Sequence, residues 1–103
     1  MPQRILAVTP NPTIDKTVLV PGFSLGNMHR PERLIAVAGG KGLNVARVVK
    51  RLGGDSYVCV LLAGNSGRWI ADQLDRESIG AGIAWGADET RTCVSILDPL
   101  PAP

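Results

Sequence analysis

Short apolar runs separated by turns rich in glycine and proline extend over most of the chain. The run at 5–9 predicts a buried strand, and the uninterrupted apolar run at 57–62 predicts a central strand covered on both faces. Less regular runs predict further strands at 16–20, 34–37, 83–85 and 92–97. Because no helical pattern separates the first three strands, we expect a small accessory sheet beside the main one.

One stretch has the clear periodicity of an amphipathic helix. Four apolar residues are spaced i, i+3, i+4 and i+7 and should form its buried face: Val45, Val48, Val49 and Leu52. The basic residues Arg47, Lys50 and Arg51 lie off that face, so we interpret them as the solvent side of the helix rather than as a nucleic-acid patch. The pair Gly53-Gly54 should end this helix.

A second helix is predicted by a weaker set of positions: Trp69, Ile70, Gln73 and Leu74. Ser66 could cap its start, and it should end before Gly80. The proline-rich end at 98–103 predicts an irregular tail. Strands that alternate with helices indicate an α/β fold with right-handed crossovers, and 103 residues leave room for one domain at most.

The composition indicates a globular protein, with 45% hydrophobic and 19% charged residues. The net charge of +2 is too small to indicate binding to nucleic acid or to a membrane surface. Cys59 and Cys93 lie in strand-like apolar runs, so we expect buried thiols rather than a disulfide. The apolar start is too short for a secretory signal, and we therefore expect a cytoplasmic protein.

The stretch Ala38-Gly39-Gly40-Lys41-Gly42 places a glycine loop directly before the first helix. Glycines let the backbone approach a ligand closely, and the free N–H groups at a helix start favour anions. The loop is therefore a candidate site for a phosphate or a sugar hydroxyl. Its spacing excludes two better-known glycine motifs. A P-loop needs Ser or Thr where Gly42 stands, and a dinucleotide fingerprint needs Gly where Val45 stands.

The longer stretch Ala38-Gly39-Gly40-Lys41-Gly42-Leu43-Asn44-Val45-Ala46 resembles the first signature of the PfkB (ribokinase-like) carbohydrate kinases, A-G-G-K-G-x-N-V-A. Four other segments resemble the phosphosugar branch of that family, the 1-phosphofructokinases and tagatose-6-phosphate kinases. They are the T-x-N-P-x-x-D-x-T opening at 9–17, the lid entry at 26–30, the glycine turn at 63–67 and the E-T-R stretch at 89–92.

The resemblance implies the N-terminal portion of a ribokinase-like three-layer α/β domain, with short lid β-strands near 16–20, 34–37 and 83–86. It implies that the whole enzyme transfers the γ-phosphate of ATP, with Mg²⁺, to fructose 1-phosphate, fructose 6-phosphate or tagatose 6-phosphate. The family's second signature, D-T-x-G-A-G-D, and its nucleotide-binding segment do not occur in these 103 residues. We therefore expect a partial kinase domain without catalytic residues, inactive alone, whose exposed sheet edges could pair it into a homodimer.

The resemblance also implies seven substrate-binding residues: Asp15, Arg30, Gly39, Gly40, Lys41, Asn44 and Arg91. Asp15 would accept hydrogen bonds from sugar hydroxyls, and Arg91 would grip the existing phosphate with two N–H groups. Arg30 would close over that phosphate from the lid. Gly39 and Gly40 would bring the backbone against the sugar, with Asn44 adding an amide contact.

Several of these residues have plainer interpretations. Asp15 could stabilise its own turn, Asn44 could cap the helix, and the basic residues of the set could be solvated charges. Cys93 departs from the family, since it stands where the phosphosugar kinases usually carry Asn. Two other functions stay open: a kinase for an unphosphorylated sugar or a nucleoside, and a non-catalytic sugar-binding or interaction module.

Overall fold

A computed structural model describes residues 4–100 of the chain and confirms the α/β class. Its eight elements are β1 (Arg4–Thr9), β2 (Thr13–Leu19), β3 (Arg33–Gly39), α1 (Lys41–Arg51), β4 (Asp55–Leu62), α2 (Gly64–Arg76), β5 (Gly80–Trp85) and β6 (Thr92–Leu97). They form a main sheet of order β1-β4-β5 and a lid sheet of order β3-β2-β6. Residues 98–100 are irregular as predicted, and the rest of the predicted tail, 101–103, lies outside the described residues.

The main sheet is wholly parallel, and the helices cover one of its faces. On that face the side chains of the central strand are buried against α1 and α2: Val58, Val60 and Leu62. The opposite face is open, since Val8 and Leu61 are 66% and 46% exposed. The prediction of a central strand covered on both faces is therefore wrong for the described residues, because they supply helices to one side only.

The side of helix α1 that packs against the main sheet is opposite to the side predicted from the spacing of its valines. Leu43 and Ala46 are fully buried, whereas Val45, Val48 and Leu52 are 49%, 52% and 82% exposed. The helix has two apolar arcs, and periodicity alone does not reveal which of them the sheet covers. The predicted buried face is therefore wrong.

Arg47 lies on the packed side of α1, with a side chain only 15% exposed. Its guanidinium donates two hydrogen bonds to Glu77 just after α2, from Nε to Oε1 at 2.6 Å and from Nη2 to Oε2 at 3.0 Å. Nη2 also donates to the carbonyl of Ala38 at 2.8 Å. The interpretation of a solvated basic face is therefore wrong for Arg47, which joins both helices to β3.

The ends of both helices agree with the sequence in most respects. Helix α1 ends at Arg51, and Gly53 follows with a φ of +85°. Helix α2 ends before Gly80, but Ser66 lies in its first turn, and Ala63 occupies the N-cap position without a side-chain bond. The described part of the chain has no helix with the length and apolar character needed to cross a membrane.

The lid sheet pairs β2 antiparallel with β3 and parallel with β6. The strands predicted at 16–20 and 34–37 correspond to β2 and β3, which both begin earlier. The lid strand predicted at 83–86 is wrong, because that segment belongs to β5, which pairs with β4 in the main sheet. The third lid strand is instead β6, whose pairing partner is distant in sequence.

The two cysteines lie on different sheets, Cys59 on β4 and Cys93 on β6. Both are free thiols, and both are half-buried rather than buried as predicted.

The base of the lid sheet is anchored in the core of the main sheet. Ile14 and Ala38 are 6% and 1% exposed and belong to the same apolar cluster as Leu43 and Ile70. Further from this base, β6 contains no buried residue. The chain crosses between the two sheets at 10–12, at Gly40 and at 86–91. These crossings gather beyond the carboxyl ends of the main-sheet strands, where ligand sites of parallel α/β sheets form.

Candidate functional site

A cleft of about 530 Å³ opens where the main sheet, the glycine loop and the lid sheet meet. Its walls come from the end of β1, the segment before β2, the first turn of α1, and residues of β2 and β6. Five of the seven predicted substrate-binding residues line it: Asp15, Gly40, Lys41, Asn44 and Arg91. Gly39 lies directly beside Asp15, whereas Arg30 is exposed in the loop between β2 and β3 and does not line the cleft.

The carboxylate of Asp15 is the only acidic group of the cleft lining. A Cβ added at Gly39, on the neighbouring strand, would overlap this carboxylate, so a larger residue there would displace the Asp15 side chain. Asp15 is half-buried, and among residues 4–100 its side chain has no hydrogen-bond or ion-pair partner. Both carboxylate oxygens can therefore accept hydrogen bonds from the hydroxyl groups of a ligand.

The glycine loop brings the start of α1 to the cleft. Gly40 has a φ of +120°, and a Cβ there would lie 3.2 Å from Thr9 Cγ2 and 3.3 Å from Pro12 Cα, so a larger residue does not fit. No side chain caps α1, and its first turn contains no acidic residue. Because Lys41 and Gly42 line the cleft, the N–H groups at this helix start are available to an anion.

Asn44 lies one turn into α1, on the cleft side. Its Oδ1 accepts a hydrogen bond of 3.3 Å from Arg47 Nη1, which orients the amide group. The interpretation of Asn44 as a helix cap is wrong, because Gly40 occupies the N-cap position and no side-chain cap bond is made there.

Arg91 is exposed at the rim of the cleft, yet three contacts fix its guanidinium. Nε donates to Asn11 Oδ1 at 3.0 Å, Nη2 donates to the Asn11 carbonyl at 3.4 Å, and Nη1 lies 3.0 Å from the sulfur of Cys93. Cys93 is the register partner of Asp15 between β6 and β2, so thiol and carboxylate share one face of the lid sheet. Arg91 is thus an ordered cation beside the carboxylate rather than a freely solvated one.

Two further residues of the cleft, Thr9 and Asn11, had no role in the sequence analysis. Thr9 is 4% exposed, and its hydroxyl oxygen has no partner among residues 4–100. A Cβ at Gly42 would overlap this hydroxyl, so Thr9 explains why the third glycine of the loop is needed. The T-x-N-P segment at 9–12 was the sequence signal for both residues, but this pattern does not predict a contact for either side chain.

Two carboxylates outside the cleft have lowered pKa values. The backbone N–H of Ser66, its hydroxyl and the backbone N–H of Asn65 hold the pKa of Glu89 below its ordinary value. For Asp98, the backbone N–H of Leu100 contributes most to the lowered pKa. Glu89 accepts backbone N–H groups from the first turn of α2, and Asp98 accepts them from Gly22 and Phe23 after β2.

The fold and the cleft define a class: an α/β protein with an open cleft at the base of a β-sheet lid, lined by one carboxylate and two basic side chains. Residues 9–99 match the model of the pfkB family carbohydrate kinases, which is most of the chain. The chain belongs to this family, as the resemblance of the glycine loop indicated.

Two curated relatives are named for phosphosugar kinases. Tagatose-6-phosphate kinase from Staphylococcus epidermidis is 36% identical over 93 residues, and 1-phosphofructokinase from Haloferax volcanii is 34% identical over 94 residues. Each match covers 90% of this chain but only 30% and 31% of the respective relative. The chain therefore spans less than a third of the length of these relatives.

Solved structures give the same result for the fold. Phosphofructokinase-2 from Escherichia coli in complex with fructose-6-phosphate superposes with a TM-score of 0.87 at 25% identity, over 93% of this chain and 32% of that one. The tetrameric inhibited form of the same enzyme gives a TM-score of 0.83 at 26% identity, over 90% of this chain and 31% of that one. The predicted N-terminal portion of a ribokinase-like fold is confirmed.

Proposed function

We propose that this chain forms the phosphosugar-binding part of an ATP-dependent sugar kinase. One observation carries the proposal: Asp15, with an unpaired carboxylate, shares a cleft with Lys41 and Arg91 at a helix start opened by glycine. Relatives named tagatose-6-phosphate kinase and 1-phosphofructokinase, and the solved complex of phosphofructokinase-2 with fructose-6-phosphate, support a phosphosugar as the substrate class.

The cleft complements the two chemically different ends of a phosphosugar. At the sugar end, Asp15 accepts hydrogen bonds from hydroxyl groups, Gly40 lets the backbone approach, and Asn44 adds an amide contact. At the phosphate end, Arg91 donates two parallel N–H groups, and Lys41 adds a second positive charge. The lining carries two cations and one carboxylate, so its net charge of +1 suits a dianionic phosphate better than a neutral sugar.

The role proposed for Arg30 requires its loop to move. In this structure it is exposed between β2 and β3, outside the cleft lining. We propose that the loop at 20–32 moves towards Arg91 when a phosphosugar binds, so that Arg30 closes over the phosphate. An Arg30→Gln variant should then weaken binding of fructose 6-phosphate and leave binding of fructose unchanged.

The described residues do not fit a magnesium site. Among residues 4–100 no group of three His, Cys, Asp or Glu side chains converges, and the cleft offers the single carboxylate of Asp15. Mg²⁺ in phosphoryl-transfer sites is held by one or two carboxylates together with nucleotide phosphates, but the single carboxylate here is the one proposed to bind the sugar, and the family's nucleotide-binding segment does not occur in the sequence. We therefore expect ATP and Mg²⁺ to bind residues outside this chain, and the chain alone to be catalytically inactive.

A homodimer is the last part of the proposal. One face of the lid sheet leaves large apolar side chains at least 51% exposed: Leu34, Val94 and Ile96. Pairing of two lids would cover these residues, and the tetrameric form of phosphofructokinase-2 shows that one relative assembles. Light scattering should give twice the monomer mass, whereas a monomer at high concentration would refute this part.

Calorimetric titration of the chain tests the substrate class. Fructose 1-phosphate, fructose 6-phosphate and tagatose 6-phosphate are compared with fructose, for the wild type, for Arg91→Gln and for the exposed control Arg51→Gln. We expect at least one phosphosugar to bind about tenfold or more tightly than fructose, a difference of about 1.4 kcal/mol, and Arg91→Gln alone to remove it. Equal binding of fructose would favour a kinase for an unphosphorylated sugar, and no binding would favour an interaction module.

An activity assay tests the reaction itself. The product of the complete open reading frame is incubated with Mg²⁺-ATP and each of the three phosphosugars, in parallel with the 103-residue chain. We expect turnover by the complete product alone. Turnover by the short chain would contradict the expectation that it carries no catalytic residue.

A further inference from the structure

The linker at 86–91 joins β5 of the main sheet to β6 of the lid sheet. Hydrogen bonds hold this linker to the main sheet. Gly86 donates its backbone N–H to the carbonyl of Leu62 at 2.8 Å, and Thr90 donates to the carbonyl of Ala63 at 2.9 Å. The Thr90 hydroxyl in turn accepts the N–H of Ala63 at 2.9 Å. The path of the chain into the lid is therefore fixed by hydrogen bonds and not by apolar packing.

Glu89 adds the strongest set of these bonds. Its carboxylate accepts the backbone N–H of Asn65 at 3.1 Å, the backbone N–H of Ser66 at 3.0 Å and the Ser66 hydroxyl at 2.7 Å. Because helix α2 has no side-chain cap of its own, Glu89 supplies the carboxylate that its first turn lacks. A cap from 23 or 24 residues away couples the helix to the linker.

The surrounding backbone is shaped to admit this carboxylate. Gly64 has a φ of +67°, and a Cβ there would overlap the carboxyl group of Glu89. On the linker side, Asp88 adopts a φ of +73°, an uncommon conformation for a residue with a side chain. The hydroxyl of Ser66 also lies 2.7 Å from the carbonyl of Thr90, so it bonds either to that carbonyl or to Glu89.

The linker leads directly into the cleft. Arg91 follows Glu89 by two residues, and its carbonyl accepts the backbone N–H of Ile14 at 3.0 Å, which begins the pairing of β6 with β2. Its guanidinium then lies against Asn11 in the cleft. A shift of Glu89 away from α2 would move the guanidinium and the first residues of β6 together.

We propose that Glu89 is a positioning residue for substrate binding: its contact with the first turn of α2 sets the place of the Arg91 guanidinium. The proposal rests on the proposed function for its binding test, but the Glu89 contact itself can be tested without any ligand. The side-chain hydrogen bonds of Glu89 among residues 4–100 all go to Asn65 and Ser66, neither of which lines the cleft, so the route proposed for its effect on binding is through Arg91, two residues along the chain.

The test compares Glu89→Gln, which keeps the size and removes the charge, with Asp72→Asn, an exposed carboxylate on the same helix. Hydrogen exchange of the ligand-free chain is measured first. We expect faster exchange in Glu89→Gln at the amides of Asn65 and Ser66 and at the first residues of β6, and wild-type exchange in Asp72→Asn. Unchanged exchange at all of these amides in Glu89→Gln would overturn the proposal, whether or not any sugar phosphate binds.

Binding of fructose 6-phosphate by calorimetry supplies the second readout. We expect Glu89→Gln to lower the affinity about tenfold in the wild-type background and to have no further effect when Arg91 is already Gln. A merely structural role would lower affinity in both backgrounds, and that additive result would overturn the proposal. If the wild type does not bind fructose 6-phosphate, the proposed substrate fails, and the exchange measurement alone decides on Glu89.

The Gly64→Ala variant tests the same contact between Glu89 and α2 by changing the helix instead of the linker. Its Cβ displaces the Glu89 carboxylate without changing any charge but also strains the backbone at Asn65 and Ser66, so the informative result is faster exchange at the first residues of β6, as in Glu89→Gln. If Gly64→Ala is too unstable to study, Ser66→Ala removes one of the three donors and should give a weaker version of the same pattern.

Discussion

The two sheets of this chain are stabilised in different ways. The main sheet packs one face against two helices and buries a continuous apolar cluster, whereas among residues 4–100 the helices reach only the base of the lid sheet and β6 has no buried residue. The lid depends instead on strand pairing and on carboxylates that accept backbone N–H groups, Glu89 at one end and Asp98 at the other. Regions with few buried apolar contacts open most easily, so we expect the lid to move while the main sheet stays folded.

The largest effect should come from the core of the main sheet. Leu62→Ala removes a fully buried side chain and should lower the free energy of unfolding by about 3 kcal/mol, because it leaves a cavity between the sheet and the helices. Leu52→Ala is the matched control, since Leu52 is 82% exposed and should change stability by less than about 0.5 kcal/mol. Urea denaturation measures both. A large loss for Leu52→Ala would contradict the orientation of α1 described above.

The next largest effect should appear at the junction of the two sheets. Gly39→Ala places a Cβ where the Asp15 carboxylate lies, so it should lower the affinity for fructose 6-phosphate about thirtyfold, or about 2 kcal/mol. Gly86→Ala is the control, because a Cβ there meets Leu61 at an ordinary 3.6 Å. Calorimetric titration measures the change. Wild-type affinity in Gly39→Ala would show that the position of Asp15 does not matter for binding.

A smaller effect should follow from the ion pair that joins the two helices. Glu77→Gln removes the charge that faces Arg47, whose side chain is 15% exposed, and should cost about 1 to 2 kcal/mol of unfolding free energy. Asp75→Asn, an exposed change near the end of α2, serves as the control. Thermal unfolding distinguishes the two variants. Equal melting temperatures would contradict a stabilising role for the Arg47–Glu77 ion pair.

The smallest effect concerns the pH dependence of the lid. The pKa values of Glu89 and Asp98 are lowered from ordinary values of 4.5 and 3.8, so each carboxylate stabilises the fold above its unfolded pKa. This stabilisation is lost as the pH falls through the lowered pKa. The protection factors of the β6 amides, which are corrected for the intrinsic pH dependence of exchange, should therefore fall in the wild type as the pH drops below about 4.5, and fall less in a Glu89→Gln, Asp98→Asn double variant. An identical fall of the protection factors in both proteins would contradict this assignment.

The sequence predicted local features well and three-dimensional partners less well. The glycine loop, the end of α1 at Gly53 and the existence of every strand followed from short-range patterns. The orientation of α1 and the sheet to which 83–86 belongs did not, because both depend on which surface a distant segment covers. The same limit applies to Arg47, whose partner Glu77 lies 30 residues away.

The candidate site, too, was only partly predictable from the sequence. Five of the seven residues that the family resemblance implied line one cleft, since the glycine motif fixes the spacing of three of them around the start of α1 and the pairing of β2 with β6 brings Asp15 and Arg91 together. Thr9, Asn11 and Glu89 had no role in the sequence analysis, since their contacts lie within the sheet junction. Only the folded structure shows that Gly42 accommodates Thr9 and that Gly64 accommodates Glu89.

The central claim is that a phosphosugar binds in the cleft between the main sheet and the lid. The most direct test is an NMR titration of the isotopically labelled chain with fructose 6-phosphate, with fructose as the control. The account predicts that chemical shifts change at the amides of Asp15, Gly40, Asn44 and Arg91 with fructose 6-phosphate at concentrations where fructose has no effect. Changes confined to the open face of the main sheet, around Leu61 and Ile83, or no changes at all, would contradict it.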